Sequence, residues 1–311
     1  MTVGLESQSS TSRVVALVDN NYAQREPMRA FLASSLNHFA VIPHTLLQEW
    51  HKRSAALTMR QHLQIACAFP SQILILKDTR DLLHLSGRPE SLLMRLIDRR
   101  QTRDFAAYCE TVITKPLNAA IEEQFAAHEQ YTGETMQALT LEAHKMMALF
   151  AKWDDPSYAH GFTRQELRDL MGAVDRGTPL TTELQQKTFR KAIEQAATQF
   201  RAHGVDASKI PQDFSELANL LGFRFGAMMV GLYVMWRNKP GTYPSGDKQA
   251  LNWLNDLKFA AQATYFDDFR THEVKRLLPV YQIGMSLITA LGGYTNCGRY
   301  ETLPQRLAQI G

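Results

Sequence analysis

The chain has 311 residues, of which 45% are hydrophobic, and its 34 Lys and Arg residues against 31 Asp and Glu residues give a formal net charge of +3. A chain of this length and composition can bury a sizeable core, in one large domain or two ordinary ones. The charge is mildly basic, which permits a nucleic-acid partner without requiring one.

The cysteines and the first residues indicate the cellular compartment. Cys67, Cys109 and Cys297 lie far apart in the sequence, which excludes a cysteine metal cluster, and an odd number argues against a disulfide framework. We therefore expect reduced thiols and a cytoplasmic protein. Residues 1–12 are polar and rich in serine, without the apolar stretch of a secretory signal, and are predicted to form a disordered leader.

The amino-terminal part of the chain alternates between predicted strands and helices. Residues 14–18, VVALV, form an apolar run that stops at Asp19, which is typical of a buried strand in a parallel sheet. The next predicted elements are strands at 39–42 and 72–77 and helices at 27–37 and 44–68. This alternation predicts β-α-β units around a parallel sheet.

From about residue 87 the pattern becomes helical. Long helix-forming stretches such as LNAAIEEQFAAHEQY replace the strand signals up to about residue 213. A helix at 249–264, a short strand within 265–271 and a buried strand at 284–291 then restore the alternation. The predicted division is an α/β domain with its first half at 13–86, an all-α insertion at 87–213 and its second half at 214–311.

Residues 218–236 are almost entirely apolar and resemble a membrane span. Gly222 and Gly226 have the spacing of a close-packing motif for membrane helices. Arg224 between them would be costly in lipid, and the sequence contains no second span. We therefore predict a buried helix of a soluble protein, packed closely through its glycines, and no membrane partner.

Acidic residues follow several of the predicted strands. Because parallel strands point the same way, acids at their carboxyl ends can converge on one spot. A cluster of carboxylates is unstable alone, and a hard divalent cation such as Mg²⁺ or Mn²⁺ relieves the repulsion. Four acids are candidates for this cluster. Asp19 ends the first predicted strand, Glu49 comes just after the second, and Glu273 follows the short strand within 265–271. The fourth, Asp256, lies at the front of a predicted helix.

Each acid also has a simpler interpretation. Asp19 and Asp256 could be helix caps, since Asp is a preferred capping residue. Glu49 could lie on a solvated helix face, and Glu273 could favour a helix N-terminus through the dipole. Histidines at 44, 51 and 62 have a spacing that predicts a solvated helix face and not a metal site.

Three stretches resemble, in order, the motifs of PIN-domain nucleases: VVALVDNNY, VIPHTLLQEW and NDLKFAAQATYFDDFRTHE. In that family an Asp ends the first strand, an acid follows the second, another Asp opens a helix of the pattern D-x-x-x-A-x-x-A, and a last acid follows a strand ending in Thr or Ser. The resemblance covers roughly residues 13–80 and 246–291. It assigns the metal and catalytic roles to Asp19, Glu49, Asp256 and Glu273, with Asn20, Asn255 and Thr271 as supporting residues.

Two features depart from the family pattern. The last acid is Glu273, where Asp is commoner, and Asp267 or Asp268 could serve instead. The helical insertion is far longer than a compact member needs, so substrate choice cannot be transferred from the family. The resemblance implies a PIN-like parallel sheet flanked by helices, with the large all-α insertion shaping a substrate groove or binding a regulatory protein.

The resemblance also implies the activity: a Mg²⁺- or Mn²⁺-dependent endonuclease that hydrolyses phosphodiester bonds, acting on RNA. A role as a toxin or defence effector fits the same family, and a homo-oligomer is left open. Two alternatives remain, a DNA or flap nuclease of the same fold and a non-catalytic scaffold that binds RNA or protein.

An arginine-rich stretch in the insertion offers candidate phosphate contacts. Arg99, Arg100 and Arg103, together with Arg95, share part of one helix surface. The alternative is a solvated face in which Asp98 and Asp104 pair with these arginines.

Overall fold

The computed structural model describes residues 13–51, 55–83, 85, 95–114, 118–155, 157–158, 161–206, 208, 210–211, 214–238 and 246–293. The predicted leader at 1–12 and Cys297 lie outside these residues.

A parallel sheet forms the centre of the α/β part, as the strand–helix alternation predicted. The strands of the described residues are β1 (Val14–Val18), β2 (His38–Ile42), β3 (Ile73–Ile75) and β4 (Asp268–Arg270), all parallel and in the order β3-β2-β1-β4. Four of the five side chains of the central strand β1 are completely buried, which explains why this segment consists of apolar residues. It brings together segments from the two ends of the chain.

The register of the sheet aligns the carboxyl ends of its central strands. Leu17 of β1 pairs with Val41 of β2 and with Phe269 of β4. Residues that follow these strands therefore lie at one edge. Asp267 lies at the opposite edge, where its Oδ2 accepts a hydrogen bond of 2.9 Å from the N–H of Val15. Asp267 thus does not take the place of Glu273.

Helices surround this sheet. In the first half of the chain they are α1 (Asn20–Ala23), α2 (Glu26–Ala33), α3 (His44–Trp50), α4 (Ala55–Ala68) and α5 (Thr79–Leu82). In the predicted insertion they are α6 (Arg99–Cys109), α7 (Ala119–Asp154), α8 (Arg164–Arg176) and α9 (Thr182–Ala202). After it come α10 (Phe214–Leu217), α11 (Leu221–Asn238), α12 (Asp247–Ala263) and α13 (Leu277–Ala290). A π-helical turn, Glu110–Thr114, follows α6.

Two predicted elements differ from the structure. The single helix predicted at 44–68 is two helices, α3 and α4. The strand predicted at 284–291 is wrong, because these residues continue α13, which begins at Leu277. A continuous apolar run has the same pattern in a buried helix as in a buried strand, and α13 is apolar because it packs against α11 and α12.

The apolar segment at 218–236 is a buried helix, as predicted. All residues of α11 from Leu221 to Trp236 are buried, and α9, α12 and α13 pack around it. No helix in the described ranges combines the length and the apolarity that a membrane span needs.

The buried guanidinium of Arg224 in this helix has hydrogen-bond partners within the protein. Arg224 is completely buried, and its Nη2 donates to Asn219 Oδ1 at 2.7 Å while Nη1 donates to Thr264 Oγ1 at 2.9 Å. Its guanidinium also lies 3.9 Å from the ring centroid of Tyr265. These contacts explain how a helix of this composition accommodates an arginine.

Replacing Gly226 by alanine is expected to lower the free energy of unfolding by roughly 1–3 kcal/mol. A Cβ at this position would lie 2.4 Å from the carbonyl oxygen of Ala192 in α9, so the two helices would have to separate. Gly133→Ala in α7 is the control: a Cβ there has nothing within 4 Å, and we expect a gain of about 0.5–1 kcal/mol from helix propensity. Urea unfolding measures both, and equal effects would contradict the close packing.

The hydrophobic core is continuous between the sheet and the predicted insertion. One cluster of buried residues includes side chains of β1, of α7 and of α11, and a second, smaller cluster lies between α9 and α11. α7 packs along α12, which in turn packs against β1. The insertion is therefore part of the support of the sheet.

The expectation of reduced thiols was wrong for two of the three cysteines. Cys67 at the end of α4 and Cys109 at the end of α6 form a disulfide, with their Cα atoms 5.2 Å apart. The sequence did not indicate this bond, because the two residues are 42 positions apart and meet only when α6 folds back onto α4.

Candidate active site

Asp19 is held rigidly at the carboxyl end of β1. It is 3% exposed, its Oδ1 accepts a 2.7 Å hydrogen bond from the N–H of Tyr22, and its Oδ2 accepts one from the hydroxyl of Thr271. The predicted capping role is real, since Asp19 caps α1. It uses one carboxylate oxygen and leaves the other directed towards the end of the neighbouring strand β4.

Glu273 lies close by because β4 runs beside β1. The N–H of Glu273 donates to Thr271 Oγ1 at 2.9 Å, which fixes the turn after the strand. Its Oε1 accepts a 3.1 Å hydrogen bond from Asn21, a residue that the sequence motifs did not assign to the site. Thr271 thus contacts both acids, as a supporting residue would.

Asp256 comes from α12, which packs across β1 and β4. The helix begins at Asp247, so Asp256 lies in its middle and not near its start. The interpretation of Asp256 as a helix cap is therefore wrong. Its side chain is only 13% exposed, and its Oδ2 lies 2.8 Å from Nη2 of Arg276.

Glu49 is connected to the site through the neighbour of Asp256. Its Oε1 accepts a 3.2 Å hydrogen bond from Nδ2 of Asn255. On the other side of the site Asn20 accepts a 2.8 Å hydrogen bond from Trp50 Nε1, which ties α1 to α3. Glu49 is thus only partly exposed and does not belong to a fully solvated helix face.

These residues surround a cavity of about 300 Å³, which we call the acidic cavity. Its lining consists of Asp19, Asn20, Asn21, Glu49, Asn252, Asn255, Asp256, Phe259, Glu273 and Arg276. All four acids selected from the sequence lie in it. Asp268 does not, since it begins β4 at the other edge of the sheet and pairs with Arg270 at 2.7 Å.

Burial, together with the crowding of carboxylates, raises the pKa of two of the acids. Burial raises the pKa of Asp256 to about 8; Arg276 opposes the rise, and Glu273, Glu49 and Asp19 add to it. Burial also raises the pKa of Asp19, against the lowering effect of its hydrogen bonds from Thr271 and Tyr22. A raised pKa shows that the negative charge is not fully compensated by the protein, which is typical of functional sites.

Arg276 provides the counter-charge within the cavity. Its Nη2 pairs with Asp256 at 2.8 Å and its Nε lies 3.7 Å from Glu273 Oε2, while the guanidinium lies 5.2 Å from the ring centroid of Trp253. The sequence motifs did not point to this residue, although a cation three positions after Glu273 on a helical turn was an available signal.

With the side chains in these positions, no three His, Cys, Asp or Glu residues of the described ranges are arranged to hold a metal ion. The chemistry of the cavity nevertheless fits a hard cation. Its donors are all oxygens, which Mg²⁺ and Mn²⁺ prefer. Asn255 Oδ1 and Asp256 Oδ2 are both buried without a hydrogen bond, although the second is within ion-pair distance of Arg276. The donor atoms of the cavity therefore suit a hard cation. The ion pair between Arg276 and Asp256 would compete with binding of that cation.

The arginine-rich helix α6 is partly neutralised on its own surface. Arg103 pairs with Asp104 at 3.0 Å, and Arg100 lies 4.0 Å from the same carboxylate. Asp98 instead caps the helix, accepting from the N–H of Gln101 at 2.9 Å. The side chain of Arg100 is 88% exposed.

Comparisons of the chain with protein-family models, with curated proteins and with solved structures give no match. The class of the protein is therefore described by its fold and its cavity alone. It is a mixed α/β protein with a parallel sheet, a large helical part and an acidic cavity at the carboxyl ends of the central strands. Membership of the PIN-domain family stays a prediction from the sequence motifs.

Proposed function

We propose that the protein is a Mg²⁺- or Mn²⁺-dependent endonuclease that hydrolyses phosphodiester bonds in RNA. The observation that carries this proposal is the acidic cavity, in which four carboxylates from distant parts of the sequence meet at one edge of a parallel sheet. Burial of a carboxyl at a place where its pKa rises to about 8 costs stability, and such a cost is typical of functional sites.

In this proposal Asp19 and Asp256 would hold the cation, and Glu49 and Glu273 would be ligands directly or through water. A cation bound there would activate a water molecule for attack on the phosphodiester. Thr271 and the N–H of Tyr22 keep the carboxylate of Asp19 in one orientation.

Arg276 has two roles in the proposed cycle. Before the cation binds, its guanidinium compensates the charge of Asp256 and Glu273. With a cation held by these carboxylates, the guanidinium would be available to bind phosphate oxygens of the substrate in a bidentate manner.

The second candidate function is a scaffold of the same fold that binds RNA or protein without cleaving it. The pairing of Asp256 with Arg276 favours it, because an internal cation neutralises the acids without any metal. Calorimetric titration with Mn²⁺ separates the two, since a scaffold of this kind has no reason to bind the ion tightly. A role as a toxin or defence effector stays a prediction of the resemblance.

The proposed function is tested by incubating the purified protein with labelled RNA, single-stranded DNA and duplex DNA, each in Mn²⁺ and in EDTA. We expect internal cleavage of RNA in Mn²⁺ and none in EDTA. Cleavage of DNA in preference to RNA would support the alternative nuclease, and binding of Mn²⁺ without cleavage of any substrate would refute the proposal.

Reversing two charges on α6 tests whether this helix contacts phosphates. We expect Arg99→Glu with Arg100→Glu to weaken RNA binding and to reduce the slope of log affinity against log salt by about 1 for each phosphate that the helix no longer binds. Arg164→Glu with Arg168→Glu on α8 makes the same charge change at two other exposed positions. If both pairs have the same effect, or neither has one, α6 is a solvated face.

A further inference from the structure

A second cavity, of about 900 Å³, lies on the other side of α3 from the acidic cavity. It is enclosed by α3, α6, the π-helical turn and the first part of α7, and we call it the aromatic cavity. Seven of its lining residues carry rings: His44, His51, Phe105, Tyr108, Phe125, His128 and Tyr131. Its volume is in the range of small-molecule sites in proteins, which is roughly 300–1,000 Å³.

Helix α3 connects the two cavities. His44, Leu47, Gln48 and His51 have the i, i+3, i+4, i+7 spacing of one helix face and line the aromatic cavity, whereas Glu49 lines the acidic cavity. One helix separates the two cavities, and a helix with its side chains is about 10 Å across. A polynucleotide whose backbone occupies the acidic cavity can therefore place a neighbouring base in the aromatic cavity.

The rings form a surface suited to stacking. The ring of His51 lies 5.0 Å from that of His128 and 6.1 Å from that of Phe125, measured between centroids. Nδ1 of His51 is hydrogen-bonded at 2.7 Å to the carbonyl oxygen of Leu47, which fixes the orientation of the ring. His51, Phe125 and His128 therefore present neighbouring rings to the aromatic cavity.

The remaining lining supplies hydrogen-bonding groups and charge. Amide and hydroxyl groups come from Gln48, Gln101, Gln124, Thr111 and Thr132. Arg100 contributes a largely exposed guanidinium to the same lining, and α6 carries three arginines against Asp98 and Asp104. Asp104 lines the cavity as well and pairs with Arg103 and Arg100, so the border carries charges of both signs. Rings and amide groups are the features by which proteins recognise the bases of unpaired nucleotides.

We propose that the aromatic cavity binds a base of single-stranded RNA next to the phosphodiester held at the acidic cavity. This inference rests on the proposed function, because it takes the position of the strand from the acidic cavity. It gives the helical part of the chain a role in recognising substrate: α6 and α7 supply most of the walls. It also predicts a preference for unpaired substrate, since a base inside a duplex cannot enter the cavity.

The test uses the full chain in EDTA, so that binding is measured without metal-dependent cleavage. A short fluorescently labelled single-stranded RNA is titrated by anisotropy against the wild type and against Tyr131→Ala with His128→Ala. Both positions are on exposed parts of α7, so the fold should persist, and thermal melts check this. The control is Leu141→Ala on the same helix, where the residue is 56% exposed compared with 55% for Tyr131.

We expect the double variant to bind the RNA about tenfold or more weakly, in keeping with the loss of stacked rings, and the Leu141→Ala control to match the wild type. Tyr131→Phe with intact His128 should bind like the wild type, because the stacking ring is kept. Duplex RNA of the same sequence should bind more weakly than the single strand and should not respond to the double variant.

Two results separate this inference from the proposed function. If the wild type cleaves RNA but the double variant binds it unchanged, the aromatic cavity is not a base site and the nuclease proposal stands. If the wild type never cleaves RNA but the double variant loses affinity for it, the base site stands and the nuclease proposal falls. Failure of the wild type to bind single-stranded RNA, or preferential binding of the matching DNA, would overturn the inference.

Discussion

Asp256→Asn is expected to reduce Mn²⁺-dependent cleavage of RNA by roughly a thousandfold or more, because the change removes one of two charged ligands proposed to bind the cation. Asparagine has nearly the same shape, so α12 should remain in place against β1. Asp19→Asn should cause a similar loss while keeping the cap of α1, since asparagine is also a good capping residue.

The matched control for this prediction is Asp247→Asn. It makes the same chemical change on the same helix, at an exposed side chain that pairs with His144 outside the acidic cavity. Initial rates with labelled RNA, together with circular dichroism, measure the effect. Full activity of Asp256→Asn, or equal losses in Asp256→Asn and Asp247→Asn, would contradict the assigned role of Asp256.

The sheet and the convergence of the acids could be predicted because they depend on a simple periodicity. The run VVALV is short, rich in valine and ends at Asp19, which favours a strand of a parallel sheet over a buried helix, and parallel strands bring their carboxyl ends to one edge. The position of Glu273 at the same edge followed from the short strand predicted just before it. The prediction used local patterns and one topological rule, and both apply regardless of the detailed packing.

The features that the sequence did not predict depend on packing between distant elements. α13 was mistaken for a strand because its apolar residues meet α11 and α12, a property that its own sequence does not contain. The Cys67–Cys109 disulfide requires α6 to return to α4. The ion pair of Arg276 with Asp256 forms only when α12 places Asp256 beside it, so the sequence showed no more than the spacing of Arg276 from Glu273.

The second prediction with a large effect concerns stability in the absence of metal. At pH 7 to 8 we expect Asp256→Asn to be more stable than the wild type by on the order of 2 kcal/mol, against the usual trend for point changes. The folded protein raises the pKa of Asp256 from 3.8 to about 8. Loss of the ion pair offsets only part of this gain, because Arg276 is 37% exposed and keeps Glu273 as a partner.

The pH dependence gives this prediction its sign. Because the folded pKa of Asp256 lies above the unfolded value, the unfolded chain releases the proton first as pH rises. The wild type therefore loses stability relative to Asp256→Asn between about pH 4 and pH 8, and the difference is small below this interval and constant above it. Asp19, Glu49 and Glu273 are present in both proteins, so the comparison isolates Asp256.

Urea unfolding of both proteins in EDTA across this range of pH measures the difference, and thermal melts in Mn²⁺ complete the test. At pH 8 the ion should raise the melting temperature of the wild type, because it binds the folded state and displaces the proton and the guanidinium from Asp256. It should do much less for Asp256→Asn, in which that ligand is absent. If Asp256→Asn unfolds more easily at pH 8 and both proteins melt at the same temperature with and without Mn²⁺, then the pair of Asp256 and Arg276 is a structural ion pair, and the acidic cavity is not a metal site.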